Sequence, residues 1–328
     1  MTQTLLEVSG LSVEFGTYGG TVKAVRNIDF ELARGKTLAI VGESGCGKST
    51  SALAVMGLIP HPLGKITSGS VLLDGKEILG LSLRAANRIR GKDMGMIFQD
   101  PLSSLNPTLT VGKQISESLR VHEGLSRKKA RERSIQALGE VQITDPERLV
   151  DYFPHQLSGG MRQRVMIAIA IACRPKLLIA DEPTTALDVT VQAQILALLR
   201  TIQTTHGMSI LLITHDLAVV SEMADAVAVM YAGQIIETGD VENVMNHSAH
   251  PYTMGLKASL PDESRGTQKK LTPIEGSPPD LFQPPEGCPY FERCPKAMKV
   301  CQKQLPPFFP AGVDHYSRCW LHHPKAPQ

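Results

Sequence analysis

Residues 42–50, Gly-Glu-Ser-Gly-Cys-Gly-Lys-Ser-Thr, follow directly on the apolar run Thr37-Leu38-Ala39-Ile40-Val41. A chain that leaves a buried strand through residues this poor at packing needs a reason other than packing. The stretch fits the pattern G-x-x-x-x-G-K-[ST] in full. Its glycines let the backbone wrap closely, with N–H groups turned toward phosphate oxygens. A helix expected from near Ser49 adds its positive N-terminal end. Gly42, Ser44, Gly45, Cys46, Gly47, Lys48, Ser49 and Thr50 are therefore the candidate nucleotide-binding residues. Lys48 is expected to reach the β- and γ-phosphates, and the Ser49 hydroxyl to be a Mg²⁺ ligand. The competing reading, a glycine-rich surface turn, does not explain a pattern of this length after a strand and before a helix. Cys46 occupies a free position and receives no catalytic role, although it is expected to make the loop sensitive to thiol reagents. The pattern occurs once, so one nucleotide domain is expected in the chain.

Around this loop the chain alternates. "KTLAIVG", "DMGMIFQ", "KLLIADE", "SILLITHD" and "AVAVMYAG" are short β-rich apolar runs, and segments such as 127–141 and 188–205 carry helical periodicity. Alternation of this kind predicts an α/β fold with a mostly parallel sheet covered by helices. Of the 328 residues, 42% are hydrophobic and 20% charged, enough for a sizeable core. The net charge of +2 leaves no electrostatic footprint for nucleic acid. The start, MTQTLLEVSG, has no basic region followed by an apolar one, so no signal peptide is expected. Runs such as Val165 to Cys173 are too short to span a bilayer, and any membrane role is expected to be peripheral. From about residue 246 the texture changes. Pro and Gly become frequent, 262–287 reads as a linker, and a small cysteine-bearing tail follows.

Leu177-Leu178-Ile179-Ala180-Asp181-Glu182 is a strand ending in two carboxylates. Taken alone, it would be a strand capped by solvated acids. In the company of a phosphate loop, Asp181 is placed to hold Mg²⁺ through water. Glu182 is placed to polarise the water that attacks the γ-phosphate. Leu157-Ser158-Gly159-Gly160-Met161-Arg162-Gln163-Arg164 then opens a strongly apolar helix, and its Ser and Gly backbone forms a second anion site.

These features together resemble the ABC ATPase family, whose LSGGQ signature covers the ATP held by a second subunit. Met161 stands where that signature has Gln, while Ser158, Gly159 and Gly160 are intact. The resemblance implies further roles, position by position. Gln99, in "MIFQDP", matches the Q-loop glutamine that senses Mg²⁺ and the attacking water. Ala186-Leu187-Asp188 matches the D-loop, which meets the opposite subunit. His215 matches the switch histidine at the γ-phosphate. Phe15 matches the aromatic that stacks on adenine, with Tyr18 as its competitor. Without such company, His215 would read as a polar strand-end residue and Phe15 as core. The fold implied is a P-loop NTPase with an antiparallel β subdomain and a helical subdomain at about 85–165, within a nucleotide-binding domain at 1–245. The mechanism implied is a head-to-tail dimer that closes on ATP and opens on hydrolysis.

The signature and D-loop argue against a metabolic P-loop kinase, which has no use for a second phosphate surface. The soluble ABC proteins of DNA or ribosomes carry duplicated units, long coiled coils or strong basic patches that are missing here. The tail decides further. "HPYTMGLKASLP" from His250, "GCPYFERCPKAMKVCQ" and "RCW" are similar to the C-terminal extension of the dipeptide and oligopeptide permease group, placed here at 246–328. That resemblance implies an ATPase subunit at the cytoplasmic face of the inner membrane. Its implied partners are a second ABC ATPase, identical or related, two transmembrane permeases and an extracytoplasmic binding protein, with di- or oligopeptides as cargo. Nickel and glutathione, carried by relatives, remain the alternative cargoes. Cys288, Cys294, Cys301 and Cys319 supply four thiolates, enough for a [4Fe–4S] cluster or a structural Zn²⁺. The lack of a C-x2–4-C pair and the two Cys-Pro steps favour the cluster, and the resemblance implies one. Four reduced cysteines in a docking tail are the bland alternative. A metal would organise a tail too poor in periodic apolar residues to fold unaided.

Overall fold

The computed structural model describes residues 3–185, 187–259 and 273–326. Ala186 of the D-loop pattern, Leu260 and Pro261 at the end of the HPYT stretch, and 262–272 of the expected linker lie outside the described residues. The strands, in chain order, are β1 (Thr4–Thr17), β2 (Gly20–Ala33), β3 (Thr37–Val41), β4 (Gly64–Leu73), β5 (Lys76–Glu77), β6 (Met94–Ile97), β7 (Leu177–Asp181), β8 (Ser209–Thr214), β9 (Ala226–Tyr231), β10 (Gln234–Asp240), β11 (Phe309–Gly312) and β12 (His315–Ser317). The five apolar runs of the sequence are β3, β6, β7, β8 and β9. The chain divides into two compact units. The first holds Met1–Leu6, Leu32–Thr37 and Leu73–Ile213, and the second Glu7–Glu31, Leu38–Leu72 and Thr214–Gln328.

In the first unit β6, β7 and β8 run parallel, with Met94 opposite Leu177 and Leu177 opposite Ser209. All three strands are buried along their length, which is why they read as unbroken apolar runs without alternation. Helices Val111–Glu123 and Arg127–Glu140 pack on each other and on helix Gly159–Ile171. Their boundaries follow from local chemistry. The Ser126 hydroxyl accepts from Lys129 N–H, and Gly124 and Gly207 end their helices in the left-handed region. The basic run from Arg127 to Arg131 is a solvated face with only Ala130 turned inward.

In the second unit β3 and β9 are parallel neighbours, with Leu38 opposite Ala226. β9 turns back into β10 through Ala232-Gly233, both at positive φ, as a two-residue hairpin requires. β1 and β2 form a second hairpin through Tyr18-Gly19. The tail joins this unit by backbone pairing. β12 adds to β10 antiparallel, with Glu237 opposite Ser317, and β11 adds to β12.

The tail is therefore better anchored than its composition led us to expect. Beside the strand pairing, the fully buried Glu237 carboxylate accepts from the N–H groups of Ala249 and His250 at 2.7 and 2.9 Å, and His315 Nε2 lies 2.7 Å from its Oε1. Tyr231, Tyr252 and Tyr290 form a buried aromatic cluster. These holds join residues far apart in sequence, which periodicity along the tail does not register.

Candidate functional site

The phosphate loop lies in the second unit. Gly45 and Gly47 have φ of +78° and +105°, in the left-handed region that favours glycine. A Cβ on Gly47 would also collide with the Ala24 carbonyl oxygen, and one on Gly42 with that of Met230. Gly47 is the N-cap of helix Lys48–Val55 and, having no side chain, makes no side-chain cap to its first N–H groups. The Lys48 side chain is only 4% exposed and folds back into the loop, where Nζ donates to Gly42 O at 2.7 Å and Glu43 O at 2.9 Å. These carbonyls hold the ammonium within the loop that the pattern assigns to phosphate.

Cys46 is buried in the loop, and burial raises its thiol pKa despite Lys48 beside it. The expected sensitivity to thiol reagents therefore weakens, because the reactive species is the thiolate. Phe15 is half-buried beside Gly64, whereas its competitor Tyr18 is fully exposed at 114%. His215 follows β8 and is exposed, next to Asp216, which caps helix Leu217–Met223 by accepting from Ala218 N–H at 2.8 Å.

The two carboxylates and the signature lie in the first unit. Asp181 ends β7 and is buried. Glu182 follows at φ +46°, a left-handed conformation that costs a non-glycine residue about 1 kcal/mol or more. Several bonds hold it there. Its N–H donates to Ile213 O at 2.9 Å, Gln99 Nε2 donates to its Oε2 at 3.1 Å, and Thr185 Oγ1 donates to the same oxygen at 2.8 Å. The structure thus brings Gln99 and Glu182 together across 83 positions of sequence. Ser158 caps the signature helix, accepting from Met161 N–H at 3.3 Å, and Asp188 caps helix Val189–His206, accepting from Val191 N–H at 2.9 Å. Gly160 faces Val191, where an added Cβ would come within 3.2 Å of Cγ1.

Sequence reasoning missed four residues here. Thr185 was legible only as part of the segment after Glu182. Buried Gln163 donates to Pro183 O, tying the signature helix to the turn after β7. Tyr252 and Arg293 both bond to Glu43 of the phosphate loop from far along the chain, and no sequence signal marks that pairing.

The pattern of the ABC transporter family matches residues 25–185, and that of the oligopeptide/dipeptide transporter C-terminal region matches 236–301. The oligopeptide transport ATP-binding protein OppD of Bacillus subtilis is 53% identical over 99% of this chain and 90% of its own length. The chain belongs to the ABC transporter ATP-binding family. As a member of it, the chain is an ATPase of the oligopeptide/dipeptide group, for which ATP and Mg²⁺ are the expected ligands. The dipeptide transport ATP-binding protein DppD of Haemophilus influenzae is 51% identical over 92% of this chain and 91% of its own. Among solved structures, the dimeric post-hydrolysis state of the ATP-binding cassette MJ0796 with ADP and Pi superposes with a TM-score of 0.65 at 27% identity, covering 72% of this chain and 98% of that one. The family accounts for the P-loop α/β fold. No helix among the described residues is long and apolar enough to cross a membrane.

Proposed function

We propose that this chain is the ATP-hydrolysing subunit of an importer for di- or oligopeptides, acting peripherally at the cytoplasmic face of the inner membrane. The observation that carries this reading is the match of the whole chain, tail included, to OppD and DppD proteins. Its partners would be a second ABC ATPase, two transmembrane permeases and an extracytoplasmic binding protein. Nickel or glutathione is the second reading for the cargo, since the ATPase itself does not touch it.

In this reading the nucleotide-binding domain spans 1–245 and the extension 246–328. Phe15 stacks on adenine, and the backbone of Gly42, Ser44, Gly45, Cys46, Gly47 and Thr50 surrounds the phosphates with Lys48. Ser49, Gln99 and Asp181 carry hard oxygen donors of the kind Mg²⁺ takes, and the metal would neutralise phosphate charge. Glu182 accepts a proton from the attacking water as general base. Its orientation by Gln99 and Thr185 supports that role. His215 contacts the γ-phosphate, and Ser158, Gly159, Gly160 and Asp188 serve the ATP of the partner subunit.

The tail cysteines suit a [4Fe–4S] group by their chemistry. Cys288, Cys301 and Cys319 are buried and Cys294 partly so, and Cys288 feels the charge of the other three. Met298 N–H points to Cys301 Sγ at 3.4 Å, a contact of the type that tunes cluster sulfurs. Among the described residues no group of three or more His, Cys, Asp or Glu side chains is arranged to hold a metal ion, which weighs against the cluster and Zn²⁺ alike. Burial, reinforced by the neighbouring cysteines, pushes the Cys288 thiol up to about 12 and Cys319 up to about 11. Iron and acid-labile sulfide in anaerobically purified protein would support the cluster, and stoichiometric zinc without iron would overturn it.

The test of the transporter reading is co-purification. Tagged Glu182→Gln protein, solubilised from native membranes with ATP, is expected to bring two polytopic subunits and a second ABC ATPase. Recovery only from the soluble fraction, bound to nucleic acid or ribosomal proteins, would overturn it.

A further inference from the structure

Glu43 is the second residue of the phosphate loop, and its carboxylate stands in a loop built to receive a triphosphate. Like charge there opposes binding. The structure answers it with a residue from the C-terminal extension. Arg293 Nη1 donates to Glu43 Oε2 at 2.8 Å, and Nη2 donates to Oε1 at 3.1 Å, a two-pronged pair. The remaining guanidinium donors are also occupied. Nη1 reaches the Tyr231 hydroxyl at 3.1 Å, Nη2 the Ile274 carbonyl at 3.2 Å, and Nε the Glu275 carbonyl at 2.9 Å. The Arg293 side chain is 6% exposed and that of Glu43 25%, so solvent screens the pair weakly.

The backbone of Glu43 is fixed as well. Its N–H donates to the Tyr252 hydroxyl at 2.9 Å, and its carbonyl accepts from Lys48 Nζ at 2.9 Å. Tyr252 belongs to the HPYT helix Pro251–Ala258, and Arg293 immediately precedes Cys294. Pro278, Pro279 and Leu281 also line a small cavity with Glu43, Ser44, Gly45 and Cys46. Two separate parts of the extension therefore grip one residue of the loop.

We propose that Arg293 is a positioning residue for nucleotide binding. It neutralises and fixes Glu43, so that the C-terminal extension sets the affinity of the phosphate loop for ATP. This rests on the reading of residues 42–50 as the nucleotide loop. Arg293 acts through Glu43 and contacts no reacting atom. Its loss leaves an uncompensated carboxylate beside the phosphates.

The experiment measures the dissociation constant for ATP·Mg²⁺, and KM against kcat, on the full chain carrying Arg293→Gln, Arg293→Lys, Glu43→Gln, and Glu43→Gln with Arg293→Gln. Arg293→Gln is expected to raise the dissociation constant and KM about five- to tenfold, the range of modest coupling between sites, with kcat little changed. Arg293→Lys should fall between it and wild type. The double variant should return close to wild type, because the unbalanced charge is gone. A double variant as weak as Arg293→Gln, or an Arg293→Gln protein that binds like wild type, would overturn the proposal. Should Arg293→Gln fail to fold, Glu43→Gln decides alone. Affinity equal to or tighter than wild type supports the charge argument, and loss of affinity refutes it. Failure of the wild-type chain to bind ATP would instead overturn the reading of the loop itself.

Discussion

Gln99 and Glu182 are joined by a single hydrogen bond of 3.1 Å from the amide Nε2 to the carboxylate Oε2, the oxygen that also receives Thr185 Oγ1 at 2.8 Å. Both donors converge on one oxygen and so fix the plane of the carboxylate. A general base works only within reach of its proton, and a fixed carboxylate is in place before the water arrives.

Removing one of these donors is expected to lower turnover without abolishing it. Gln99→Ala should reduce kcat about tenfold, with a smaller effect on ATP affinity, as expected for loss of an orienting bond of roughly 1–1.5 kcal/mol. Thr185→Val should do the same to a lesser degree. Phosphate-release kinetics at saturating ATP would check both. Wild-type turnover in Gln99→Ala would remove the orienting role.

Gly47→Ala is expected to damage the loop. The alanine would have to hold φ +105°, and its Cβ would meet the Ala24 carbonyl oxygen. Strain and overpacking together predict a loss of about 2–4 kcal/mol. Thermal unfolding and ATP binding would both report it. Gly45→Ala meets no atom within 4 Å and carries only the strain at φ +78°, so the milder defect is expected there.

Cys46 should react slowly. Its thiol pKa is raised by burial, so the thiolate fraction near neutral pH lies below that of an ordinary cysteine and keeps rising with pH beyond the ordinary thiol range. Mass-spectrometric alkylation across roughly pH 7 to 10, the range around an ordinary thiol pKa, would show Cys46 lagging a free thiol at every point. Labelling faster than a free thiol would contradict the environment described.

Much of the fold was legible in the sequence for a physical reason. β3, β6, β7, β8 and β9 are buried along almost their whole length, so each had to be an unbroken apolar run. The loop was legible because phosphate geometry demands glycine at fixed spacing. The edge strand β11 and its short neighbour β12 were not, since Phe309–Gly312 is half exposed and contains a proline, and three residues at His315–Ser317 are too few for a pattern. Nor was the left-handed turn at Glu182, where a glutamate adopts a conformation its residue type disfavours. The pairing of Glu43 with Arg293 spans 250 positions, beyond any local pattern. The HPYT motif, read only as a family mark, turns out to supply the His250 N–H that Glu237 binds and the Tyr252 hydroxyl that holds Glu43.

Glu237→Leu is expected to loosen the tail. It would remove the acceptor for the Ala249 and His250 N–H groups and the partner of His315, all buried. Leaving these groups unpaired should cost about 3–5 kcal/mol. Limited proteolysis, with hydrogen exchange at 249–252 and 315–317, would detect the release. Protection equal to wild type would refute the anchoring role.

The most direct measurement is ATP binding and ATP hydrolysis side by side in wild-type and Glu182→Gln protein. Glutamine keeps the shape and loses the base. Hydrolysis should fall by about a hundredfold or more while the dissociation constant for ATP·Mg²⁺ stays near wild type. Turnover close to wild type would contradict the assignment of Glu182 as the general base.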